Sequence, residues 1–101
     1  MPSPTPADAM SAVRDNKEAS RYELAVDGDV AIAVYQRRGD VIAFTHTEVP
    51  PQLEGHGVGS ALIKGALDDV RARGLAIIPA CEFVAAYLER HPEEQDLLVG
   101  D

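Results

Sequence analysis

The chain has 101 residues and a formal net charge of -8, from 9 Lys and Arg against 17 Asp and Glu. That balance argues against a nucleic-acid partner and against docking on an anionic membrane, both of which need a basic footprint. At 46% hydrophobic residues it is a globular composition with room for one domain. The core is small enough that a ligand or a second copy in a homodimer would add stability. Cys81 is the one cysteine, so no disulfide can close within the chain and a cytoplasmic setting is expected. No apolar run approaches the ~20 residues of a membrane span, and the start lacks a signal-peptide pattern.

Residues 1–12 carry prolines alternating with small residues and read as a disordered tail, leaving 13–101 as a single domain. From Arg21 to Val26 the apolar residues alternate, which predicts a half-buried strand. Asp27-Gly28-Asp29 is a hairpin signal, and Val30 to Gln36 alternates again. Arg38-Gly39-Asp40 makes the next turn before a third strand over Val41–Val49, closed by Pro50 and Pro51. Three strands on two short turns form an antiparallel meander.

From Val58 to Arg73 the period becomes helical, with Val58, Ala61, Leu62, Ala66, Leu67 and Val70 on one face and Gly74 as a stop. Leu75–Ile78 is a short, wholly apolar run that suits a strand buried on both faces. Phe83–Arg90 reads as a second helix with Phe83, Val84, Ala86 and Tyr87 inward, ended by His91-Pro92. The last apolar patch is Leu97–Val99. The order β-β-β-α-β-α describes an α+β fold. Its β-α-β crossover makes the third and fourth strands parallel, so the sheet is mixed.

Gly55, Gly57 and Gly59 stand at the entrance to the first helix. Each costs about 1 kcal/mol of helix stability relative to alanine, so their presence asks for a reason. One reading is a flexible turn. The other is an anion site, because the first turn of a helix has unpaired N–H groups and partial positive charge, and glycines let a phosphate approach them. No Lys-Ser or Lys-Thr follows, as a Walker loop requires, and no βαβ start precedes, as a Rossmann site requires. A pyrophosphate cradle in another fold remains.

The stretch Glu54-Gly55-His56-Gly57-Val58-Gly59 resembles the acetyl-CoA signature of the GNAT N-acetyltransferase superfamily, Gln/Arg-x-x-Gly-x-Gly/Ala. Its setting, strand then signature then long helix, strand and helix, is similar too. The run from Thr47 to Val99 resembles the short single-domain branch, through Thr47–Pro50, Glu54–Ser60, Arg73–Leu75, Cys81, Phe83–Tyr87 and His91-Pro92. The resemblance implies a GNAT-like mixed sheet, acetyl-CoA as acyl donor, an amine acceptor and no metal. It implies cofactor binding by Val49, Glu54, Gly55, His56, Gly57, Val58, Gly59 and Ser60, with pantetheine lying where the third strand splays from the fourth. Glu54 departs from the usual Gln or Arg and sets a carboxylate beside a pyrophosphate. The first hairpin is also too short for the two helices that shape the acceptor site in full-size members, so that site is expected to be open or completed by a partner.

Catalysis then needs a base for the amine and an acid for the thiolate. His46 and Glu48 share a strand face by the period of two, and either is a candidate base. Tyr87 matches a tyrosine that protonates the departing thiolate in many members, or is a core aromatic. Cys81 is an acyl carrier, a thioester-pocket residue or a small buried hydrophobe. His56 faces the 3′-phosphate side of CoA or serves a surface loop. The first reading of the chain is an acetyl-CoA-dependent N-acetyltransferase. The alternative is a non-catalytic module that keeps the CoA cradle for binding or protein interaction.

Overall fold

A computed structural model describes residues 13–99, so the tail assigned to 1–12 lies outside the described residues. Its spine is a five-stranded sheet in sequential order. Strands β1 (Arg14–Asn16), β2 (Arg21–Val26), β3 (Asp29–Arg38) and β4 (Val41–Glu48) form an antiparallel meander. β5 (Ala76–Pro79) then adds parallel to β4. The mixed sheet is the one expected, with one more strand than the three-strand meander. β1 has the sequence Arg-Asp-Asn, which shows no apolar alternation. It exists as an edge strand because β2 offers it a free backbone edge, something no local pattern announces.

The β2–β3 hairpin turns through Asp27 and Gly28, at φ 50° and 86°. Positive φ at both central residues matches the right-handed twist of the strands. Register places Tyr22 opposite Ala33 and Leu24 opposite Ala31, so these side chains share one sheet face. That face is buried, and it carries Tyr35, Ile42, Phe44 and Ile77 as well. The alanines of β3 face inward and the larger Val30, Ile32 and Val34 outward. Ala31 and Ala33 are fully buried under helix α1 (Val58–Ala72), whose backbone they allow close to the sheet.

Helix α1 buries Val58, Leu62, Ile63, Ala66, Leu67 and Val70, and Gly74 at φ 69° closes it. Helix α2 (Glu82–Arg90) buries Val84, Tyr87 and Leu88. Two expectations are corrected. Ala86 is exposed and Phe83 only half-buried, with Leu88 taking the inward place. β5 is buried on one face, for Ile77 is inaccessible while Ile78 is 45% exposed. The reason is shared: both helices pack on the same side, and the other side of the sheet stays open.

The chain end is clamped to α1. Arg71 reaches Glu94 at 2.9 Å and Asp96 at 2.6 Å, and Val99 N–H donates to the carbonyl of Ile77. On the far edge Tyr22 donates to Asp69 and Tyr35 to Asp15, and Arg73 bridges both carboxylates. β1 is thereby tied to the last turn of α1.

Candidate active site

β4 and β5 pair only as far as Phe44 and Pro79. β4 continues to Glu48, so the sheet opens between the C-terminal ends of the two strands. Beside this opening lies a cavity of about 410 Å3. Thr47 of β4 and Val49 just beyond it form one wall. Leu53, Glu54, Gly55 and Gly57 through Ser60 line it from the loop and the start of α1, and Phe83 and Arg90 from α2.

The glycines serve two different ends. Gly55 and Gly57 have φ of 82° and 74°, a left-handed backbone that other residues adopt at a cost of about 1–2 kcal/mol. Gly57 is the residue before the helix and has no side chain with which to cap it. The first helical hydrogen bond runs from Ala61 N–H to the Gly57 carbonyl at 3.0 Å. The amides of Val58, Gly59 and Ser60 therefore precede the ladder, on a stretch that lines the cavity. Gly59 is glycine for a packing reason: a Cβ there would stand 2.4 Å from Cζ of Phe83.

Charge in the cavity comes from two side chains, Glu54 and Arg90. Arg90 forms no ion pair among the described residues. It stands exposed at the end of α2, next to a helix start that favours anions.

A bulge decides which way the candidate bases face. Tyr35 pairs with Phe44, but Val34 pairs with His46, so Thr45 is an extra residue in β4. In a regular strand His46 and Glu48 would follow Ile42 and Phe44 into the core. The bulge turns both to the open face, where His46 lies opposite Val34 and Glu48 opposite Ile32. They stay together, with Nε2 of His46 2.8 Å from a Glu48 carboxylate oxygen, and both are exposed.

The same bulge puts Thr47 opposite Ala33, on the helix side. Its Oγ1 lies 3.3 Å from Sγ of Cys81. Cys81 is half-buried and is the residue that precedes α2, with no side-chain cap. Thr47 thus links the thiol to the cavity that it lines.

A profile of the GCN5-related N-acetyl-transferase family matches residues 21–97 of the chain. The chain belongs to this family. The solution NMR structure of a GCN5-like protein from Staphylococcus aureus, itself a candidate N-acetyltransferase, superposes with a TM-score of 0.67. It is 28% identical, over 90% of this chain and 92% of that one. No curated protein sequence matches the chain.

The GCN5-related fold thus carries an acetyltransferase domain here, in a family that uses acetyl-CoA. Of the residues read from its signature, Glu54, Gly55, Gly57, Val58, Gly59 and Ser60 line the cavity, as does Val49. His56 is exposed in the loop and does not line it. Tyr87 does not line it either: its ring is buried and stacks on His91 at 4.1 Å. Burial also raises its pKa, so the hydroxyl keeps its proton. Thr47 lies in the strand end, around Phe44 to Val49, that was expected to line the site, whereas Phe83 and Arg90 were not among the expected site residues. Phe83 and Arg90 are seven positions apart, which sets them about two turns apart on one helix side, and that spacing was the available signal.

Proposed function

We propose that this chain transfers an acetyl group from acetyl-CoA to an amine. The observation that carries the reading is the uncapped start of α1, opening on a cavity also lined by Arg90, which has no ion pair among the described residues. In a chain of net charge -8, an anionic ligand needs such a local exception.

When bound, acetyl-CoA supplies an acetyl group already activated as a thioester. The amides of Val58, Gly59 and Ser60 would hold its pyrophosphate, and Arg90 would offset that charge. Thr47 and Val49 would guide the pantetheine arm past the end of β4. Glu48, hydrogen-bonded to His46, would take the proton that the acceptor ammonium must lose before it attacks. Cys81 would line the thioester pocket in a direct transfer. In a two-step route the Cys81 thiol loses its proton and attacks the acetyl carbonyl, and the CoA sulfur leaves as thiolate and takes up that proton. The deprotonated amine then displaces the cysteine sulfur, which regains a proton from the amine. Tyr87 is left out of proton transfer, since its ring belongs to the core.

Calorimetry with CoA, followed by mass spectrometry after incubation with acetyl-CoA and a panel of amines, tests the reading. Saturable CoA binding and an acetylated amine with free CoA support it. Binding without turnover on any amine would instead favour a non-catalytic CoA module. Absence of binding at millimolar CoA would remove both.

A further inference from the structure

A second hollow, of about 560 Å3, lies directly across the end of β4 from the first cavity. Thr47, Val49 and Glu54 line both, so the two are neighbours that share a wall. The rest of its lining is apolar, from Val30, Ile32, Pro50 and Pro51, with Glu48 added. Both of its charged side chains are carboxylates, Glu48 and Glu54.

No Lys or Arg lines this hollow, and Arg90 stands near Glu54 only on the side of the first cavity. Arg21 shares the open sheet face through its pairing with Val34, but Glu23 holds it at 2.7 Å. Glu23, opposite Ile32, is also met by Asn16. Neither Glu48 nor Glu54 forms an ion pair with Lys or Arg among the described residues, and Glu48 is met only by His46. Val30 is 44% exposed beside them, an apolar surface that a ligand could cover.

We infer that this hollow is the acceptor site and that it takes a primary ammonium on an unbranched alkyl stem. The stem would lie along Val30 and Ile32, and the ammonium between Glu48 and Glu54, at the wall shared with the donor cavity. An amine with a carboxylate next to it would meet two like charges and be rejected. This also gives Glu54 a use, for a carboxylate that is awkward beside a pyrophosphate suits a cation on its other side. The inference rests on the transferase reading for its chemistry, though not for its binding.

The test is an NMR titration of the CoA-saturated chain with 1,5-diaminopentane, with Nα-acetyl-lysine N-methylamide, and with hexanoate and glutamate as controls. Saturable shifts at Val30, Ile32, Glu48 and Glu54 are expected for the two amines and not for the controls. Glu54→Gln should weaken the amines about fivefold, the scale of one solvent-screened charge contact, and Glu48→Gln/Glu54→Gln further. Binding of the diamine alone points to a free polyamine, and binding of the lysine amide as well to a lysine side chain; either supports the site. Shifts elsewhere, no shifts, or equal binding of hexanoate overturns it. A parallel assay for acetylated product separates the two claims. Amines that bind here without being acetylated count against the transferase, and amines acetylated with shifts elsewhere count against this site alone.

Discussion

The ring of Phe83 rests against Gly59, so near that a methyl group on that glycine would lie 2.4 Å from Cζ. Packing of α2 on α1 and the shape of the cavity between them thus depend on one missing side chain. Gly59→Ala should force the ring out and destabilise the fold by about 1–3 kcal/mol, as overpacking does. Gly57→Ala meets no atom but keeps a φ of 74°, and should cost about 1–2 kcal/mol. Urea denaturation of the two variants and of Gly59→Ala/Phe83→Ala checks this. The double variant should recover part of the loss, since the clash is gone.

Arg90 is exposed and its side chain forms no ion pair among the described residues. Arg90→Gln should leave the melting temperature within about a degree, as exposed substitutions do. CoA binding should weaken about tenfold at low salt and less at high salt. Calorimetry at two ionic strengths reads this directly. Dephospho-CoA in the same assay tells a pyrophosphate contact from one to the 3′-phosphate.

Cys81→Ala should keep CoA affinity and lose most of the turnover. Thr47→Val, which removes the hydroxyl 3.3 Å from the sulfur, should lose less. Intact-mass measurement after brief exposure to acetyl-CoA separates the two routes: an acetyl adduct that is absent from Cys81→Ala marks the two-step transfer. Normal turnover in Cys81→Ala would return the thiol to a packing role.

Glu48→Gln should lower kcat and remove the acidic limb of its pH profile, because a group that must be deprotonated to act is then missing. Tyr87→Phe should leave kcat unchanged, the ring being buried and stacked on His91. A large loss of kcat in Tyr87→Phe with CoA affinity intact would instead restore it as the acid.

Stability should fall in acid for reasons the ion pairs make explicit. Hydrogen bonds from Asn16 and Arg21 hold Glu23 below its ordinary 4.5, and Arg71 holds Asp96 below its ordinary 3.8. A carboxylate with a depressed folded-state pKa binds fewer protons folded than unfolded, so its contribution is complete above the unfolded value. It is lost progressively as the pH drops through the folded one. Urea midpoints should therefore be flat near neutral pH and decline below about 4.5. Glu23→Gln and Asp96→Asn should each flatten that decline.

How much of this the sequence determined by itself can be told residue by residue. Alternation located β2 to within its ends, and the helical period with Gly74 located α1, because both signals are local. The glycine cluster marked the turn into α1, since the need for positive φ at Gly55 and Gly57 is written in residue type. Period two also tied His46 to Glu48, and they do share a face. Which face was decided only by pairing. The extra residue at Thr45 flips the pair out of the core, and a bulge is a property of two strands in register, not of one strand's pattern. β1 formed because β2 had an edge to offer. Arg90 met the glycine loop, and Cys81 met Thr47, because α2 folds back across the open end of the sheet. Contacts between residues more than thirty positions apart leave no trace in local periodicity. They are set by where the helices pack, and that depends on the alanines of β3 and on the whole core at once.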